Sequence, residues 1–162
     1  MTSGITRALL VLGALLVIRG VDYSIAEKER IIASGDVIYL ELAPVDPRSL
    51  MQGDYLALRF RLAAAIETQR EASPRESERE RSAALDVDAR RVATLDSTGQ
   101  SPVRIGYRIR GGHVWLGTNA YFFAEGNVAR YMGKARYGEF KLDRESGEAV
   151  LVGLADEEMR TL

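Results

Sequence analysis

The sequence predicts an α+β protein, mainly antiparallel β, in which one N-terminal transmembrane helix leads into a small β-rich domain carrying one or two helices. Three observations carry this reading. An unbroken apolar run, Ala8 to Ile18 ("ALLVLGALLVI"), is followed by a helix-like stretch that closes at Gly35. From Asp36 onward the apolar period changes to two, the signature of half-buried strands. Gly111-Gly112 then separates two alternating segments as a two-residue hairpin turn does. A chain of 162 residues, 46% apolar and 28% charged, has the makeup of one domain with a buried core. The expected organisation is therefore an anchor and short helical stalk over residues 1–35 and a single β-rich extracytoplasmic unit over 36–162, with a charged loop or helix at 67–81.

At the N-terminus the apolar run extends from Ile5 to Val21 if Arg7 and Arg19 are admitted near its ends, where long basic side chains snorkel to the headgroups. That length lies at the short end of what crosses a bilayer, about 17–25 residues. A cleaved signal peptide fits the same residues: Arg7 as the basic start, Ala8–Ile18 as the apolar middle, and Ser24-Ile25-Ala26 as a small-x-small cleavage pattern. Arg19 and Asp22 make the approach to that cleavage site long and polar, which favours the uncleaved anchor. Both readings place the rest of the chain outside the cytoplasm. Arg7, Arg19, Lys28 and Arg30 flank both sides, so basic residues alone do not orient the helix.

Tyr23 to Ser34 continues the anchor as a stalk. Ile38, Leu40 and Leu42 then alternate with polar positions as a first strand, and Leu56, Leu58, Phe60 and Leu62 as a second. Glu67 to Arg81 is nearly all charged or small polar residues, broken by Pro74, and reads as a solvated helix or mobile loop. Val87, Ala89, Arg91, Ala93 and Leu95 mark a weaker strand. Val103, Ile105, Tyr107 and Ile109 alternate cleanly up to the Gly111-Gly112 turn. In the return strand His113 should oppose Arg110, and Trp115 should oppose Arg108. Glu125 to Ala135 reads as a short helix. Phe140 and Leu142, a turn at Arg144–Gly147, and Val150, Val152 and Leu154 close a last hairpin.

Composition excludes several chemistries. With no cysteine there are no disulfides, thiolate metal sites or cysteine nucleophiles. A net charge of −1 lacks the basic footprint of a nucleic-acid-binding domain. His113, the only histidine, sits beside Arg110 at a hairpin tip, and a neighbouring guanidinium disfavours the imidazolium a general base must form. Trp115 either packs plainly or stacks with Arg108. No calcium-loop spacing, glycine-rich phosphate loop or G-x-S-x-G elbow occurs, so no cofactor, metal or catalytic residue is assigned.

"PVDPRSLMQGDYLALRF", Pro44 to Phe60, is the most unusual stretch. Asp46 can cap a helical turn with Pro47 at its first position, Leu50 and Met51 can plug the core, and Gly53-Asp54 can lead back into a strand. This structural corner explains every residue type except Arg48 and Tyr55. A connection this long is also a place where function concentrates. Asp46, Arg48, Asp54 and Tyr55 are therefore the candidate ligand-binding residues, with Arg59 an addition from the strand.

"LELAPVDPRSLMQGDYLALRF" closely resembles the defining motif of the bacterial GDYXXLXY family of membrane-anchored proteins, with Gly53, Asp54, Tyr55 and Leu58 matching and Phe60 standing where the family name has tyrosine. "YFFAEG", "ARYGEF" and "AVLVGL" extend the likeness over Ser24 to Leu162. The resemblance implies a single N-terminal anchor in the bacterial cytoplasmic (inner) membrane and, as partners, the lipid bilayer and a multi-spanning membrane protein. It transfers no catalytic residue. A looser likeness to signal peptidases, at a turn ending in Gly-Asp, puts Val45 where the nucleophilic serine would stand, which excludes that activity. The expectation is a non-catalytic binding or assembly module for an integral membrane partner. The alternative is a small-ligand-binding protein or enzyme with its site around the Pro44–Tyr55 loop.

Overall fold

The computed structural model describes residues 2–43, 55–72, 81–123, 128–131 and 133–162. A long helix α1 (Thr2–Ser34) is followed by β1 (Asp36–Glu41), β2 (Tyr55–Ala57) and α2 (Arg61–Ala72). Then come β3 (Ser82–Val87), β4 (Ala93–Leu95), β5 (Arg104–Gly106), β6 (Arg108–Arg110), β7 (His113–Trp115), β8 (Ala120–Phe122), α3 (Val128–Tyr131), β9 (Tyr137–Leu142) and β10 (Ala149–Ala155). The strands pair antiparallel in four groups: β1-β9-β10, β4-β3-β5, β2-β8 and β6-β7. This is the α+β, mainly antiparallel architecture that the change of period predicts.

α1 runs without a break, because no proline interrupts it and its internal glycines, Gly4, Gly13 and Gly20, meet nothing within 4 Å. Over Leu9–Ser34 it is long and apolar enough to cross a membrane. Among the described residues, the large apolar side chains left exposed all lie on this helix apart from Ile109 and Phe122. Its last turn behaves differently: Ile31 is fully buried, and α1 packs there on β9 and β10.

Three backbone contacts tie the strand groups and the segments beside them together. Isolated bridges link Tyr39 of β1 to Val92 and Leu42 to Phe60, and the Gly106 N–H donates to the Gly147 carbonyl at 2.6 Å. The core lies between the β1-β9-β10 sheet and α2. Along β9, Gly138, Phe140 and Leu142 point inward, opposite Leu40, Ile38 and Asp36 of β1. Gly138 is small for a reason: a Cβ there would fall 2.8 Å from the Phe60 ring, which packs edge-on against Phe140 at 5.3 Å between centroids.

Four expectations need correcting. The second strand does not reach Leu62. It ends at Ala57, and α2 begins at Arg61. Leu56, Leu58, Phe60 and Leu62 are nonetheless all buried, because Leu62 and Ile66 at i and i+4 continue the inward stripe on a helix. The weaker strand from Val87 to Leu95 is a hairpin, β3 to β4. The Asp88 carboxylate accepts the N–H groups of Arg90 and Val92, both at 2.8 Å, and turns the chain. In β10 a bulge between Leu151 and Gly153 shifts the register, so Ala149 and Leu151 join Leu154 against the core in place of Val150 and Val152. The run from Val103 to Ile109 breaks at Tyr107, whose N–H goes to the Arg81 carbonyl, and Ile109 stays exposed. Of the charged segment 67–81, Glu67 to Ala72 form the end of α2, residues 73–80 lie outside the described residues, and Arg81 leads into β3.

Candidate functional site

Of the residues singled out in the sequence, Asp46, Arg48 and Asp54 lie outside the described residues. Tyr55 opens β2 opposite Phe122 of β8. Leu58 and Phe60, later in the same motif, are both only 4% exposed, so these two positions of the motif belong to the core, while Arg59 between them is exposed.

The structure brings a different set together. α2 presents Leu62 and Ile66 to the core and, one step round the helix, Ala63, Ala64 and Glu67 to the β6–β7 hairpin. That hairpin has the register its sequence dictates: Arg110 opposes His113, Ile109 opposes Val114, and Arg108 opposes Trp115. Gly111 and Gly112 both adopt positive φ, 57° and 83°, as a turn matching the twist of the strands requires. In such a ladder the Val114 N–H faces away from β6. The Glu67 carboxylate of α2 accepts it at 2.7 Å and lies 3.4 Å from the His113 Nδ1. One acid thus ties the hairpin to the helix.

Between them lies a cleft of about 650 Å³. Its apolar floor includes the buried Leu58, Phe60 and Leu116, and Ala43 and Ala57 stand on its wall. Trp115 is half-buried and carries the Arg110 guanidinium 4.4 Å above its ring. The stack thus forms with Arg110 and not with the directly opposite Arg108. Arg59 and Thr118 complete the polar rim. Sequence reasoning included Arg59 and missed Glu67 and Arg110 as partners in a site. Glu67 sits at i+4 from Ala63 on a face adjoining the buried stripe, a position that the surrounding charge run disguises.

A second, smaller cavity of about 190 Å³ lies where α1 meets β9, between Ile31, Gly35, Asp36 and Asp143. Two ion pairs among its lining residues close around it, Arg30 with Asp143 and Arg144 with Asp36, and a third joins Lys28 of α1 to Glu148. The Arg30 guanidinium, helped by the Glu145 N–H and the Ser146 hydroxyl, holds the Asp143 carboxyl below its ordinary pKa. The helix itself ends with the Gly35 N–H on the Ile31 carbonyl at 2.8 Å. This junction is a clamp between the end of α1 and the β9–β10 hairpin. Among the described residues no group of His, Asp and Glu has the composition of a metal site.

A family model described as GDYXXLXY protein matches the chain over residues 18–154. No curated protein and no solved structure matches it at a significant level. The match spans most of the chain, from the second half of the apolar helix through β10, and on that extent the chain belongs to the GDYXXLXY family.

Proposed function

We propose that this protein is a single-pass module of the bacterial cytoplasmic membrane whose extracytoplasmic domain binds or assembles with an integral membrane partner. One observation carries the reading. The helix whose apolar side chains stand exposed continues unbroken until its last turn, Ile31, is buried against β9 and β10. From Val21 to Ile31 the helix rises about 15 Å, so the domain is held close against the headgroups by a rigid connection. A domain so placed meets membrane-bound partners at the height of their short external loops. The exposed apolar face of α1 offers a second surface inside the bilayer.

The chain contains no cysteine, which makes the test clean. Glu145→Cys, at an exposed turn, should react with a membrane-impermeant maleimide in cells with a permeabilised outer membrane. The protein should resist alkaline extraction at its full-length mass. Purification of the full chain from detergent-solubilised membranes should recover an integral membrane protein that a variant with α1 replaced by a cleavable signal does not. Release at alkaline pH excludes the anchor, and labelling only after lysis excludes the orientation. Recovery of no membrane protein removes the partner.

A further inference from the structure

We infer that the cleft between α2 and the β6–β7 hairpin binds a small amphipathic anion: an apolar body with one carboxylate-type head. This goes beyond the anchored-module reading and does not depend on it. The volume, about 650 Å³, suits a small organic ligand, and its floor is built from the buried side chains of Leu58, Phe60 and Leu116. The charge balance on the wall decides the sign of the head. Glu67 is the acid there, and its carboxylate is already taken by the Val114 N–H and by His113. Arg59 and Arg110 both line the cleft, both are exposed, and among the described residues neither makes an ion pair. Arg110 is held over the Trp115 ring at 4.4 Å, which fixes the plane of its guanidinium without using its N–H donors. Two unpaired guanidiniums above an apolar floor form a site complementary to a carboxylate on a hydrocarbon body.

Trp115 is the only tryptophan of the chain and lines the cleft, so its emission reports occupancy directly. The test titrates the full chain in dodecyl maltoside micelles with decanoate, decanol and decyltrimethylammonium, comparing midpoints between variants in the same micelles so that partitioning cancels. Decanoate should shift Trp115 emission saturably, at a midpoint about tenfold or more below that of decanol, with no saturable response to the cation. Arg59→Gln leaves the Arg110–Trp115 stack intact and should raise the decanoate midpoint by about tenfold. Arg110→Gln should do the same, and Arg110→Lys, which keeps the charge and loses the fork, should fall between. The decanol midpoint should not move in any of them. Both arginines are exposed, so melting curves of the variants should overlay the parent and separate lost binding from lost folding. Equal midpoints for decanoate and decanol, a decanoate midpoint unchanged in Arg59→Gln and Arg110→Gln, or no saturable response at all overturns the inference.

Discussion

Replacing Gly35 by alanine tests the clamp between α1 and the β9–β10 hairpin more directly than breaking an ion pair does. A Cβ at Gly35 would fall 2.6 Å from the Ile31 carbonyl oxygen and 3.2 Å from that of Leu142. Both obstacles are backbone, one the last turn of α1 and the other the end of β9. Neither can turn aside like the tip of a side chain, so the last turn of α1 must distort and the end of β9 must give way. Overpacking of this kind costs about 1–3 kcal/mol. For a chain of this size each kcal/mol lowers the melting temperature by about 2–4 °C, so the expected loss is about 2–12 °C. The assay is thermal melting of the full chain in neutral detergent followed by near-ultraviolet circular dichroism, with tryptic cleavage after Lys28 and Arg30 as a local reporter. Gly20→Ala is the matched control, because a Cβ there meets nothing within 4 Å. If Gly35→Ala melts within about 1 °C of the parent and its stalk is cut no faster, the helix end is not held against β9 as described.

Two further outcomes follow from the geometry. Glu67→Ala removes the acceptor of the Val114 N–H and unties the hairpin from α2. The carboxylate is about one-third exposed, so water replaces part of it and the loss should be about 1 kcal/mol, seen as a lower melting temperature with a red-shifted Trp115 emission; Glu67→Gln, which keeps an acceptor oxygen, should lose less, and equal losses in the two variants contradict the hydrogen-bond assignment. Asp96 is held at a pKa of about 2 by the Thr98 hydroxyl and the Ser101 and Thr98 N–H groups, against 3.8 for the free carboxyl. A depressed folded-state pKa gives stability that is present above about pH 4 and lost as pH falls toward 2, so Asp96→Asn should flatten the fall of melting temperature across that interval; acid limbs that superimpose would show that the Asp96 turn contributes nothing.

Much of the fold is legible in the chain because single positions carry it. Gly111-Gly112 leaves one register open to β6 and β7, and the Arg110–His113 and Arg108–Trp115 pairs follow from it. The burial of Leu56, Leu58, Phe60 and Leu62 is also readable, while the change from strand to helix among them is not. A period of two and a helical i, i+4 pair coincide over so short a span, and the run Ala63-Ala64-Ala65 with Ile66 was the overlooked helix signal. The turn between Val87 and Leu95 and the β10 bulge are not legible from alternation, because the Asp88 side-chain hydrogen bonds and an extra residue override it. The cleft was harder still. Glu67, Arg110 and Trp115 come from segments that sequence periodicity treats separately, and a packed interface between α2 and a hairpin joins them. Asp46, Arg48 and Asp54, the charged residues of the dense polar stretch before β2, lie outside the described residues.

The unbroken course of α1 into its buried final turn has a geometric consequence. A flexible tether would let the domain point anywhere. A helix gripped at its end instead transmits rotation, and each residue of an α-helix advances the azimuth by about 100° and the height by about 1.5 Å. One residue added between Val21 and Ala26 would therefore swing the cleft to another side of the N-terminal part of α1 while barely lifting it. The stalk is a protractor more than a ruler: its residue count sets the bearing of the domain relative to the exposed apolar length of α1.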